Sequence, residues 1–147
     1  MSKWINVLFI STVALTSGCA SVPEYRAPQG AAVARLNIKS QGSKWICVAG
    51  QSQRLVADST GYADIPAGSR LTIGSSYYSS YHNGFGMAHM SCNPRSSIIP
   101  EPGQHYYIDF EIESELCYAF IFKEDATNRT GLAFEPTFGP PSDCSGR

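Results

Sequence analysis

The most regular stretch of the chain is 106–112, where Tyr106, Ile108, Phe110 and Ile112 alternate with Tyr107, Asp109 and Glu111. A period of two marks a half-buried strand with one apolar and one wet face. In the next run, 116–122, Leu116, Tyr118, Phe120 and Phe122 lie on one face and Cys117, Ala119 and Ile121 on the other, which predicts a strand covered on both sides. The short separation joins the two as a hairpin. Shorter strands are predicted at 35–39, 44–48, 54–57 and 69–76, each punctuated by Gly or Pro, and Asp58-Ser59-Thr60-Gly61 reads as a turn. The segment 77–90 is polar and aromatic, with Gly84 and Gly86; it is either two strands joined at His82-Asn83-Gly84 or one irregular loop. No stretch of ten or more residues has a helical period. About seven short strands at this spacing predict an all-β chain, as a single antiparallel β-sandwich or a small barrel, with the sandwich preferred.

The first 18 residues have the three parts of an export signal: Lys3, an apolar stretch over 4–15, and the small residues Thr16-Ser17-Gly18. Interrupted by Asn6, Ser11 and Thr12, that stretch is shorter than the roughly 20 apolar residues a transmembrane helix needs. The residues Leu15-Thr16-Ser17-Gly18-Cys19 resemble the lipobox of bacterial lipoproteins, with Gly18 and Cys19 at its two strict positions and Thr16 where Leu is usual. The resemblance implies cleavage after Gly18, a diacylglycerol on the Cys19 thiol, and attachment to a membrane through that lipid. Two or three acyl chains hold firmly where one binds marginally. In such lipoproteins of Gram-negative cells, Asp directly after the cysteine favours the inner membrane. Here the residue is Ala20, so a Gram-negative source implies the outer membrane, facing the periplasm.

Removing 18 of 147 residues leaves 129, enough for one domain. The expected division is 1–18 signal peptide, 19–34 lipidated N-terminus and tether, 35–125 β-sandwich, and 126–147 irregular tail. The tether is rich in Ala, Ser, Pro, Gln and Gly; the tail carries Pro136, Pro140 and Pro141 but also Phe134, Phe138 and Cys144, which predict that it is stapled back onto the domain. Eleven Lys and Arg face twelve Asp and Glu, and loss of Lys3 leaves ten against twelve. Without clustered basic residues there is nothing to displace the counterions of a nucleic acid, so that class of partner is excluded.

Besides Cys19 there are four cysteines, and no two are closer than 25 residues, so no zinc knuckle can form. In an oxidising compartment they read as two disulfides, for which three pairings can be drawn. Cys92 stands before a Pro-containing turn and Cys117 on the second strand of the hairpin, which favours Cys92 with Cys117 and Cys47 with Cys144.

The segments Gly61-Tyr62-Ala63-Asp64-Ile65-Pro66-Ala67-Gly68-Ser69-Arg70-Leu71-Thr72-Ile73 and Ser91-Cys92-Asn93-Pro94, followed by Ile99-Pro100-Glu101-Pro102-Gly103-Gln104-His105-Tyr106-Tyr107, resemble small bacterial lipoproteins of uncharacterised function with a transthyretin-like or carboxypeptidase-regulatory β-sandwich. The likeness covers about half of the mature chain. It implies a β-sandwich in the cell envelope and transfers no catalytic residues.

Three groups are candidates for chemistry. His82, Met87, His89 and Met90 offer imidazole and thioether ligands suited to copper. If the segment is one strand, however, Met87 and His89 share one face and His82 and Met90 the other, and the preferred reading is polar-aromatic strand residues with no metal or cofactor. His105 with a serine and Asp109 would suggest a hydrolase, but the chain has no Gly-x-Ser-x-Gly elbow and no helix to support one, so no enzyme is expected. Asp109, Glu111, Glu113 and Glu115 read as the solvated face of a strand.

The remaining candidate is a contact surface. The run from Tyr77 to Phe85 mixes Tyr with Ser, Asn and Gly, the composition of recognition loops, and nominates Tyr77, Tyr78, Tyr81 and Phe85; the plainer reading is an aromatic-rich hairpin. The expected function is a membrane-anchored, non-enzymatic envelope lipoprotein that binds or supports another envelope protein. The alternative is an inhibitor or immunity protein acting against a hydrolase.

Overall fold

The computed structural model describes residues 21–113, 116–142 and 144; the signal segment and Cys19 lie outside the described residues. Among the described residues there are ten strands and no helix: β1 (Val33–Asn37), β2 (Ser43–Val48), β3 (Gln51–Arg54), β4 (Tyr62–Pro66), β5 (Leu71–His82), β6 (Met87–Cys92), β7 (Arg95–Ile98), β8 (His105–Glu113), β9 (Leu116–Glu124) and β10 (Leu132–Phe134). They form two five-stranded sheets. The first runs β10-β9-β8-β1-β4; the second runs β3-β2-β5, with β6 and β7 both paired to the far edge of β5. Every strand pair is antiparallel except β1 with β8.

Both sheets turn apolar residues into one core. Ala34, Leu36, Ala63, Ile65, Tyr106, Ile108, Ala119 and Ile121 come from the first sheet, and Ile46, Leu71, Ile73 and Ile98 from the second. Each fully buried Leu or Ile among these contributes about 1.5–3 kcal/mol through removal of its surface from water. The alternation in β8 acts as expected through Tyr106, Ile108 and Phe110, which are buried, and ends there: Ile112, on the same face, is exposed where β8 runs beyond the core. In β9 only the Ala119 and Ile121 face is buried, while Leu116 and Tyr118 are exposed. The expectation of burial on both faces therefore fails at the start of this strand. Its outer face is covered only farther along, where Phe120 stacks on Phe138 of the tail.

Three strands were not apparent from the pattern. β4 sits in the Gly61 to Gly68 stretch and ends on Pro66; β7 is masked by Ser96 and Ser97, both buried; β10 is three residues long. The strand expected at 54–57 is shifted to Gln51–Arg54. It follows β2 directly through Ala49-Gly50, a two-residue turn with positive φ at both positions, 51° and 75°. Such primed turns match the twist of the strands they join, although Ala has none of the freedom of Gly there.

Both ends of the described chain are drawn onto this frame. Arg54 N donates to Pro23 O at 2.8 Å, Tyr25 N donates to Arg54 O at 2.9 Å, and Tyr25 packs against the core. Residues 23–25, within the span expected to be a tether, thus lie along the edge of β3. In the tail, Ser97 and Gly139 exchange backbone hydrogen bonds, and Arg70 donates to Thr137 O. The disulfides join Cys47 with Cys144 and Cys92 with Cys117, the pairing that chain position favoured.

Candidate functional site

The chain from Leu71 to Ile98 is one long hairpin with its two halves in different surroundings. Near its root, β5 is flanked on one side by β2 and on the other by β7, and the pairing with β2 stops at Ser76, opposite Ser43. Beyond Ser76, β5 pairs with β6 alone, from Tyr77 opposite Cys92 to His82 opposite Met87. Asn93 and Pro94 interrupt the second arm without shifting its register: Ser75 N still donates to Pro94 O, and β7 continues the same alignment. Pro has no N–H for a ladder, which explains a break at this point in an otherwise continuous arm.

The tip is closed by Asn83, whose side-chain oxygen accepts from the N–H groups of Phe85 and Gly86, each at 3.1 Å. Alternation then sorts the side chains of this two-stranded arm. Tyr77, Ser79 and Tyr81 share a face with Ala88, Met90 and Cys92, and this face turns towards the first sheet: Tyr77 lies 5.3 Å from the Phe110 ring, and Cys92 is bonded to Cys117. Tyr78, Ser80 and His82 share the other face with Met87, His89 and Ser91, and all six are exposed. Here Tyr78 and His89 stack at 5.8 Å, and His89 Nδ1 is within hydrogen-bonding distance of the Tyr78 hydroxyl at 2.8 Å and the Ser80 hydroxyl at 2.9 Å.

The four nominated residues are consequently spread over the arm. Tyr77 is half-buried packing, Tyr81 is exposed on the same face nearer the tip, Tyr78 is on the opposite face, and Phe85 is fully exposed at the tip. Two further exposed apolar residues were missed. Met87 is on the Tyr78 face, and Leu116 is at the end of the β8–β9 hairpin, the hairpin to which the disulfide ties the arm. Residues 71–94 contain no Asp, Glu, Lys or Arg. A projecting arm with several exposed apolar side chains and no charge is unlike an ordinary solvated hairpin, whose edges carry charged residues against unwanted pairing.

The outer face continues past the root of the arm. Trp45, opposite Gly74, lies so closely over it that a Cβ there would sit 2.2 Å from the indole. Beside Trp45 is a cleft of about 270 Å³ lined by Val22, Ser43, Ser52, Arg54, Ser76 and Asn93 among others. Val22 belongs to the segment expected to be a tether, so the sequence carried no signal for this neighbourhood.

The other candidates are dispersed. Because the arm is a hairpin, His82 stands opposite Met87 and shares its face with Met87 and His89, and only Met90 points the other way. That corrects the single-strand assignment of His82 to the face of Met90. Among the described residues no three His, Cys, Asp or Glu side chains are grouped to hold a metal ion. His105 is adjacent to Tyr62 and Glu124, with its Nδ1 3.8 Å from a Glu124 oxygen that also accepts from the Tyr62 hydroxyl. Asp109 accepts from the Tyr107 hydroxyl at 3.4 Å. Glu111 and Glu113 are exposed, and Glu115 lies outside the described residues.

Nearby on the first sheet, Arg35 pairs with both Asp58 and Asp64. The Thr60 hydroxyl, with the N–H groups of Thr60 and Tyr62 and the Arg35 charge, holds the Asp58 carboxyl down to about 2. The site is a structural ion network that fastens β1, β4 and the 58–61 turn. Comparison of the chain with protein-family models, with curated proteins and with solved structures gives no match in any of the three.

Proposed function

We propose that the chain is a non-enzymatic lipoprotein of the cell envelope, anchored through an acylated Cys19, whose uncharged aromatic β5–β6 arm is its contact surface. In this reading the two sheets, which share one core, are a β-sandwich of the transthyretin-like kind. In a Gram-negative cell it sits on the outer membrane and faces the periplasm. The observation that carries the reading is the arm itself: it projects past Ser76 with Tyr78, Phe85 and Met87 exposed and no charge between Arg70 and Arg95. Desolvating such a surface on contact costs little, and its tyrosines supply area with few rotamers to freeze. A photo-cross-linker placed at Phe85 in intact envelopes is expected to capture an envelope component, and one at Val56, exposed but off the arm, is not. Equal capture at both positions would overturn the assignment of the site.

A second reading is supported by the shape of the tip. Phe85, fully exposed on a four-residue loop, is suited to entering a cleft, as an inhibitor or immunity protein against a hydrolase would require. The purified protein would then block at least one of a panel of lysozymes and proteases at stoichiometric amounts. Full activity across the panel would remove this reading.

A further inference from the structure

The root of the arm and the start of the described chain are neighbours. Val22 lies in the cleft beside Trp45, Ser43 and Ser76, on the outer face from which Tyr78 and Met87 project. Two residues stand between Cys19 and Val22, and three residue steps of chain span at most about 11 Å, so on the anchoring reading an acyl group on Cys19 enters the membrane close to the root of the arm. We propose that the outer face of the β5–β6 arm lies on the lipid surface itself, with Tyr78 and Met87 at the headgroup boundary and Phe85 inserted beyond it. This rests on the anchoring reading and gives the contact surface its partner.

The composition of the arm fits that partner. A side chain entering the headgroup and acyl boundary must not carry an unpaired charge, and residues 71–94 have none. Tyrosine is favoured at this depth because its ring is apolar and its hydroxyl is wet. Phe85, Met87 and Tyr78 are respectively fully, 63% and 66% exposed, so each has apolar surface still to lose. Arg54 is exposed and lines the same cleft as Val22, where it meets an anionic headgroup with favourable sign. An uncharged aromatic surface suits a protein partner as well; the short reach from Cys19 to Val22 is what selects the lipid.

The test is Phe85→Trp in the full acylated chain, reconstituted into phosphatidylethanolamine and phosphatidylglycerol vesicles containing lipid spin-labelled near the headgroup. The wild-type chain supplies the Trp45 background and Val56→Trp a second exposed tryptophan. Insertion to roughly 5–10 Å should blue-shift the tryptophan at 85 and quench it about two-fold, with the one at 56 unaffected. Free access of acrylamide to the tryptophan at 85, without lipid quenching, would overturn the docking. A blue shift that grows with protein-to-lipid ratio, again without lipid quenching, would assign the face to a second copy and overturn it equally. Mass spectrometry of the N-terminal peptide separates the two levels. If Cys19 is acylated and quenching is absent, docking alone falls; if Cys19 is unmodified, the anchoring reading falls and takes the docking with it.

Discussion

Lys44 is the residue whose setting departs furthest from habit. It is buried on β2, and its ammonium donates to the carbonyls of Ser40, Gln41 and Gly42, closing the turn that leads into the strand. Burial pulls its pKa down to about 8, with Asp109 opposing the shift. The folded group gives up its proton more readily than the unfolded one, so the unfolded chain holds more protons between pH 8 and 10.5 and stability rises with pH across that window. Urea unfolding at pH 7, 8, 9 and 10 should show that rise in the wild type and not in Lys44→Met. At pH 7 the variant should lose about 1–3 kcal/mol, because the charged donor that joins the three carbonyls of the 40–42 turn is removed. Ala49 predicts the opposite sign. At φ 51° it occupies a position that suits Asn, and Ala49→Asn should raise the unfolding free energy by about 0.5–1 kcal/mol.

At the scale of elements, the Cys92–Cys117 bond joins two projecting hairpins and is not a strut of the core. Loop closure over 25 residues is worth at most about 3.5 kcal/mol. Replacing both cysteines with Ala should speed amide exchange over 77–92 by an order of magnitude or more, with 71–76 held by β2 and β7 and little changed. Uniform loosening of the whole chain would refute that division of labour. The sequence was legible where a longer apolar alternation met the core: β8, β1 and β2 stood within two residues of their final bounds, and the cysteine pairing followed from hairpin position; β4, with only Ala63 and Ile65 turned inward between Gly61 and Pro66, was too short to show. It failed where polar side chains were buried, as at Ser96 and Ser97 of β7, because periodicity counts hydrophobicity and not hydrogen bonds. It also failed at Ala49-Gly50, where a two-residue turn has almost no compositional mark. The nominated aromatic residues were found by composition, but their division between two faces depended on the register of β5 with β6.

For the molecule as a whole, the proposed anchoring has a direct measurement. A Cys19→Ser chain should appear in the soluble envelope fraction and take up no labelled palmitate; continued partition with membranes and labelling would contradict the proposal. The Cys47–Cys144 bond and the exchange between Ser97 and Gly139 fix Gly139 and Cys144 to the second sheet, so both ends of the described chain are held by that sheet. They are held with unequal strength. Between Val22 and β1 the described backbone hydrogen bonds that tie the N-terminal run to the sheets are the pair at Arg54 and, at the mouth of β1, the bond from Ala67 N to Ala32 O, whereas the C-terminal run is fastened covalently. Under a pull on Cys19 the pair at Arg54 is therefore the first connection to part, and its loss costs the core only the partial cover of Tyr25. On the proposed anchoring, residues 21–31 would then pay out as slack of at most about 40 Å, giving the domain a short working stance close to the bilayer and a longer one away from it.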